Sequence, residues 1–299
     1  MTIEISKCGY VAIIGRPNVG KSTFLNAMIG QKISIISPKP QTTRNQILGI
    51  KTADNCQTIY IDTPGIHHDE KRTMNRYLNR LASAVIVDAD LVIFMVEALR
   101  WTEEDEKVLQ RIITTDKPTV LAINKVDKYK DKNLLLPWIE KISAQFKFTD
   151  VVPFSAQKGD NLPAIDKVIM QHMPAGPHLF PDDQVTDKDI RFQVGEIIRE
   201  KLIRSTEQEL PYSTKVLIEA IENVKKIVDI NAVIWVEREG QKAIVIGKNG
   251  ALLKKIGTSA RLEIEKLLGK KVFLRLWVKV KSDWTEDENS WTGYHGESE

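Results

Sequence analysis

The stretch Gly15-Arg16-Pro17-Asn18-Val19-Gly20-Lys21-Ser22 constrains the fold more than any other part of the chain. It fits G-x-x-x-x-G-K-[ST], a spacing that works only where a strand turns into a helix. Tyr10–Ile14 ahead of it reads as a buried strand, and Thr23 opens a helical pattern that runs to Ile29. Glycines in such a loop let consecutive backbone N–H groups turn inward around a phosphate, and the helix start adds partial positive charge. Lys21 is placed to reach the β- and γ-phosphates of a nucleoside triphosphate, and Ser22 to hold Mg²⁺. An accidental Gly-rich turn would not need strand, loop and helix in this order.

Three later segments narrow the ligand. Thr58–Ile61 is a short apolar strand that runs into Asp62, Thr63, Pro64 and Gly65, followed by Ile66. A carboxylate at such a strand end can hold a metal's water shell, and the glycine N–H can meet a γ-phosphate. Val120–Ile123 then leads into Asn124, Lys125, Val126 and Asp127. The Asp127 carboxylate can accept hydrogen bonds from N1–H and the 2-amino group of guanine. Adenine has neither donor, and leaving a buried acceptor unpaired rejects it. The stem of Lys125 can cover the face of the base. Val151–Phe154 leads to Ser155 and Ala156, whose backbone N–H groups can cradle the base edge. The motif order is similar to that of the Ras-like GTPase superfamily and is not permuted, and a single phosphate loop excludes a tandem arrangement.

Ile66 carries a second message. Ras-like enzymes that orient water with a side chain place Gln there, and isoleucine neither donates nor accepts. Another group, a partner or an ion must therefore position the water, and slow unassisted turnover is expected. Asn18 resembles the asparagine of potassium-dependent relatives, so K⁺ near Asn18 is expected to join Lys21 in catalysis. One of Thr42 and Thr43 is expected to close onto Mg²⁺ beside Ser22 and Asp62.

The 299 residues suffice for two domains, and an apolar content of 42% suits a globular protein. The net charge of +3 hides an asymmetry: residues 187–281 hold 20 basic and 13 acidic side chains, while 282–299 hold six acidic and no basic ones. Lys242–Lys281 is the extreme, with 11 basic and two acidic side chains, a local field that favours a polyanion. Cys8 and Cys56 have no partner spacing suited to zinc, which points to a reduced, cytoplasmic setting. The N-terminus lacks the apolar core of a secretory signal, and no run of 18 apolar residues is present. His67 and His68 read as part of a mobile loop rather than a metal site.

Strands are expected at 10–15, 45–51, 57–62, 90–96, 119–124 and 150–154, and helices at 21–29, 73–87, 103–113, 133–146 and 161–172. Near-continuous apolar strands alternating with helices predict an α/β domain over 1–173, with a mainly parallel sheet covered on both faces. Every motif falls at a C-terminal strand end, where such sheets bind ligands. The Pro-rich stretch 174–188 reads as a linker. A helix over 189–205, paired strands at 214–224 and 227–236, a helical turn, Gly247-Lys248-Asn249-Gly250, a long helix and a strand at 272–278 follow, giving an α+β unit over 189–281 and an acidic tail over 282–299. This order resembles a type II KH domain, whose Gly-x-x-Gly loop clamps about four nucleotides of single-stranded RNA.

Taken together, the phosphate loop, Gln41-Thr-Thr-Arg44, Asp62–Gly65, Glu209-Leu-Pro-Tyr-Ser213 and Ile246–Gly250 resemble the Era family of bacterial ribosome-assembly GTPases, over about residues 7–281. The resemblance implies a Ras-like GTPase domain plus a KH domain, GTP/GDP and Mg²⁺ as ligands, binding to the 3′ end of 16S rRNA, and assistance in assembling the 30S subunit. It also leaves room for peripheral contact with the inner membrane, and a cytoplasmic monomer is expected. The acidic end departs from the charge-mixed helix with which the family usually closes. A different class of function, an RNA tether whose nucleotide is structural, is disfavoured by the intact Thr42-Thr43 and Asp62–Gly65 segments, which a structural nucleotide would not require.

Overall fold

The computed structural model describes residues 6–37, 46–63, 84–206 and 214–281. Among the described residues, 6–34 and 46–187 form one unit and 35–37 and 188–281 the other, each built around its own core.

Among its described residues the first unit holds six strands: β1 (Lys7–Ile14), β2 (Ile47–Ala53), β3 (Cys56–Asp62), β4 (Leu91–Glu97), β5 (Thr119–Asn124) and β6 (Asp150–Pro153). Their order in the sheet is β2-β3-β1-β4-β5-β6. All neighbours are parallel except β2, which pairs antiparallel with β3 through a tight turn at Asp54 and Asn55, both left-handed. Strands β3, β4 and β5 are buried along their whole length, as a sheet covered on both faces demands. Helices α1 (Lys21–Ile29), α2 (Glu103–Ile113), α3 (Leu135–Ser143) and α4 (Leu162–His172) connect or flank the strands. Because β1 has β3 on one side and β4 on the other, the sheet reverses its order there. A crevice opens at the C-terminal end of β1, where the phosphate loop begins.

Most expected elements recur within a few residues, and the differences have local causes. β1 starts at Lys7 rather than 10, because Lys7 and Cys8 pair with Cys56 and Gln57. α3 is shorter than 133–146: a 3-10 turn precedes it, and bonds from Ala144 and Gln145 to the Glu140 and Ile142 carbonyls close it. Residues 84–88 are helical, and the remainder of the helix expected over 73–87 lies outside the described residues.

The Pro-rich stretch after α4 is strapped to the first unit. Ala175 bridges to Lys7 and Thr186 to Gly49. Gln57, fully buried, accepts from the N–H groups of Leu179 (2.8 Å) and Phe180 (2.9 Å) and donates to the Phe180 carbonyl (2.9 Å). One buried amide thus supplies a substitute ladder for a segment whose prolines cannot make one.

The second unit orders its strands β7 (Thr214–Val224), β8 (Ile227–Val236) and β9 (Lys271–Val280) as one sheet. β7 and β8 form a hairpin with a bulge at Ile218/Ala220, and β8 and β9 run parallel. A parallel pair requires a crossover. Here it consists of α6 (Glu239–Ile246) and α7 (Ala251–Leu268), while α5 (Ile190–Ser205), capped by Asp189, leads into the unit. Ile256, Ala260 and Ile264 recur at helical spacing on α7 and are fully buried against Ile230, Ala232 and Ile234 of β8 in one core.

Candidate functional site

In the first unit, the loop after β1 is built by backbone conformations that few side chains tolerate. Asn18 is left-handed (φ 62°), and Gly20 has φ 108°. A Cβ on Gly20 would lie 2.3 Å from Asn124 Nδ2, and one on Gly15 would lie 2.5 Å from the Met95 carbonyl oxygen. No side chain caps the start of α1 at Gly20, so its first N–H groups face the loop. Val19 is in the core, Pro17 and Thr23 are half-buried, and Asn18 is exposed at the crest.

Lys21 is buried and donates from Nζ to the carbonyls of Gly15 (2.9 Å) and Arg16 (3.1 Å). Burial pushes its ammonium down to about 8, against the opposing pull of Asp62. Ser22 Oγ donates to Asp62 Oδ2 at 2.8 Å, and Ser34 Oγ donates to the same oxygen at 2.9 Å. A hydroxyl and a fully buried carboxylate this close form an all-oxygen donor set that fits Mg²⁺. Sequence reading gave no sign of Ser34, because a lone serine between two isoleucines carries no motif. Thr63 points away, donating to the Ile13 carbonyl at 3.0 Å and fixing the end of β3 to β1. Thr42, Thr43, Pro64, Gly65, Ile66, His67 and His68 lie outside the described residues.

Asn124 is the hub of the base-side segment. Its Nδ2 donates to the Val19 carbonyl (2.8 Å), and its Oδ1 accepts from the N–H groups of Lys125 (2.7 Å) and Ala156 (3.0 Å). One side chain therefore clips together the phosphate loop, the Asn124–Asp127 turn and the Ser155-Ala156 loop. Lys125 is left-handed (φ 67°), Val126 is buried, and Asp127 is exposed. Ser155 is fully buried and accepts from the Lys158 N–H at 3.1 Å. The Arg16 side chain turns out of the loop into the interior, where Nε reaches Asp105 (3.0 Å) and Nη2 reaches Glu97 (3.2 Å). Only its backbone can serve a ligand in the loop. Cys8 and Cys56 are buried free thiols, raised by burial, which makes them poor nucleophiles.

In the second unit, the turn between α6 and α7 has Gly247 at φ 71°, ψ 176°, Asn249 at φ 51° and Gly250 at φ 77°. A Cβ on Gly247 would lie 2.7 Å from Leu252 Cβ. Lys248 and Asn249 are exposed at the tip. α7 starts with no side-chain cap and no acidic residue in its first turn, so its positive end faces the turn. From there an open groove of about 490 Å³ runs between α7 and β9, lined by Leu253, Lys254, Gly257, Arg261, Phe273 and Leu276 among others. Gly247–Gly250 marks the entrance of this groove. Its walls come from two elements some 20 residues apart and carry no motif; only the basic excess of Lys242–Lys281 hinted at them.

Two family models match the chain: that of the 50S ribosome-binding GTPases over residues 10–125, and that of the KH domain over 209–285. The GTPase Era of Coxiella burnetii is 53% identical over 281 residues, covering 94% of this chain and 95% of that protein. That of Haemophilus influenzae is 52% identical over 293 residues, covering 97% of each. The chain belongs to the Era family of GTPases. Solved Era structures agree with this. A variant of Aquifex aeolicus Era bound to GDP and AlF4⁻ superposes with a TM-score of 0.91 at 41% identity, over 95% of this chain and 97% of that one. An Era complex with MgGDPNP and nucleotides 1506–1542 of 16S ribosomal RNA superposes equally well at 42% identity and the same coverage. The two units are accordingly an Era-type Ras-like GTPase domain and an Era-type KH domain, and the chain is a GTPase. Among the described residues no helix is long and apolar enough to cross a membrane.

Proposed function

We propose that the chain is a GTP-operated switch that binds the 3′ end of 16S rRNA through its KH unit and assists assembly of the 30S subunit. The observation that carries this reading is the coexistence of two sites in one chain: a phosphate loop whose Ser22 pairs with Asp62, and a Gly-x-x-Gly turn opening into a groove that holds Lys254 and Arg261. The relative solved with MgGDPNP and a 16S rRNA segment supports assigning both ligands.

In this reading water attacks the γ-phosphorus in line with the departing β-phosphate oxygen. Lys21 and the backbone N–H groups of Arg16 and of residues 18–22 hold the phosphates and stabilise the charge spreading over them. Ser22 and Asp62 hold Mg²⁺, with Thr42 or Thr43 joining in the GTP state. The metal supplies charge neutralisation at the β- and γ-oxygens. Asp127 reads guanine, the Lys125 stem covers the base, and Ala156 N–H faces its edge. The Gly247–Gly250 backbone approaches the RNA backbone, Lys248 meets phosphate, and bases lie along the α7–β9 groove against Leu253, Phe273 and Leu276. Because Ile66 cannot orient water, unassisted turnover should be slow, on the order of the 10⁻⁴ per second of small GTPases without activators.

Two results are expected here. First, the Lys21 ammonium, at about 8 in the free protein, is raised again by bound phosphate. Binding therefore takes up a proton above about pH 8, so GDP affinity is flat at lower pH and falls as pH rises. Calorimetry at about pH 8.5 in buffers of different ionisation enthalpy should register proton uptake that the Lys21→Met variant lacks. Absence of uptake in the parent chain would remove Lys21 from the phosphates. Second, with K⁺ near Asn18 neutralising charge between the β- and γ-phosphates, turnover should be faster in K⁺ than in Na⁺. Equal rates would exclude that role.

Affinity for a 16S 3′-end oligonucleotide in each nucleotide state tests the reading as a whole.

A further inference from the structure

Arg16 Nη2 (3.2 Å), Lys125 Nζ (3.0 Å) and Lys128 Nζ (2.7 Å) converge on the Glu97 carboxylate at the end of β4, with Arg100 more distant at 3.9 Å. Glu97 is only 6% exposed. Arg16 belongs to the phosphate loop, and Lys125 and Lys128 bracket Val126 and Asp127. The ammonium of Lys125 has one further anchor, the Asn18 carbonyl at 2.7 Å, again in the phosphate loop. β4 and β5 pair so that Glu97 stands opposite Asn124.

From this convergence we infer that Glu97 is a positioning residue for guanine selectivity, fixing Lys125 and Lys128 so that the turn between them presents Asp127 in one orientation. The inference rests on the assignment of Asp127 to the guanine edge. Four cations, Arg100 the most distant, meet two carboxylates here, Glu97 and Asp105, and Asp105 is engaged by Arg16 and by the cap of α2. Removing the Glu97 charge leaves Lys125 and Lys128 facing Arg16 with no carboxylate of their own. Arg16 and Lys125, with side chains 5% and 24% exposed, then repel each other with little water between them, while the half-exposed Lys128 swings into solvent. The Lys125 stem then leaves its place over the base, and the turn carrying Asp127 loses both of its side-chain ion pairs while the backbone bonds through Asn124 and Phe154 remain. Burial disfavours the ionised Glu97, but hydrogen bonds from Lys128 and Lys125 outweigh it and hold the carboxyl at about 2, so the tether is in place at every working pH.

The test compares GDP with IDP, which lacks the guanine 2-amino group, in the full-length chain. The parent chain should prefer GDP. Glu97→Gln should weaken GDP binding by about tenfold, the scale of losing the acceptor in a buried charged network, and should shrink the GDP-to-IDP ratio towards one. Glu97→Asp, which keeps the charge but draws it back, should lower the ratio less and guards against a Gln variant that fails to fold. The losses from Glu97→Gln and Lys125→Met should combine to less than their sum. A general loss of stability would lower the melting temperature and leave the ratio intact. An unchanged ratio in both Glu97 variants, or strict additivity with Lys125→Met, would overturn the positioning role. A parent chain with no preference for GDP over IDP would instead overturn the guanine assignment beneath it.

Discussion

Gly20→Ala should abolish useful nucleotide binding. The added Cβ would lie 2.3 Å from Asn124 Nδ2, and φ at this residue is 108°, a conformation that alanine scarcely adopts. Relief must come from the loop, from Asn124 or from both. If Asn124 moves, its bond to the Val19 carbonyl breaks, and with it the placement of the Lys125 and Ala156 N–H groups. Backbone strain of about 1–3 kcal/mol and a broken buried hydrogen bond of similar size together predict a loss of at least about thirtyfold in GDP affinity. Gly30→Ala is the control. Gly30 also has positive φ, at 77°, but a Cβ there meets nothing within 4 Å, and the residue only closes the C-terminus of α1. It should cost about 1 kcal/mol of stability with affinity unchanged. Fluorescence titration with labelled GDP, alongside melting curves, separates the two. Parent-like affinity in Gly20→Ala would mean that the loop is not held as described.

The second large effect is expected in the KH unit. Replacing Lys248 and Asn249 together by Asp should weaken RNA binding by roughly a hundredfold while leaving nucleotide binding intact. Both residues are exposed at the tip of the turn, so no packing is disturbed. Asn249 is left-handed at φ 51°, and Asp is one of the few residues that accept that conformation. Acidic groups beside the uncapped start of α7 also favour its dipole, so the fold should be retained. The same charges face the phosphates that the turn and the helix end would otherwise attract. The affinity of the variant should fall less steeply with salt, by about one unit of logarithmic slope for each phosphate that the turn no longer neutralises. A variant with parent-like RNA affinity and an intact melting curve would remove the Gly247–Gly250 turn from the RNA site.

Much of the fold could be read from the sequence because strand, motif and helix recur in a fixed order. The apolar runs before Gly15, Asp62, Asn124 and Ser155 become adjacent or near-adjacent strands whose C-terminal ends share one edge of the sheet. Residues defined by long-range contacts were not legible. Glu97 reads as an ordinary charge at a strand end, and its partner Arg16 is 81 positions away. Gln57 sits in an apolar strand, and nothing nearby marks it as the clip for residues 179 and 180. The groove beyond Gly250 needs both Gly257 in mid-helix and Phe273, Leu274 and Leu276 of β9, and only the fold brings these together. Arg16 lies within a phosphate-binding motif, yet its side chain serves the interior, because a motif fixes backbone positions more tightly than side-chain directions.

The most direct test of the switch is the affinity of the full-length chain for a short single-stranded RNA copying the 3′ end of 16S rRNA. It should be measured with a non-hydrolysable GTP analogue, with GDP and without nucleotide, at one fixed salt concentration. Tighter binding with the GTP analogue than in the other two states is the expected result, since a switch requires a difference in free energy between nucleotide states. Equal affinity in all three states would contradict it and leave an RNA tether whose GTPase acts on something else.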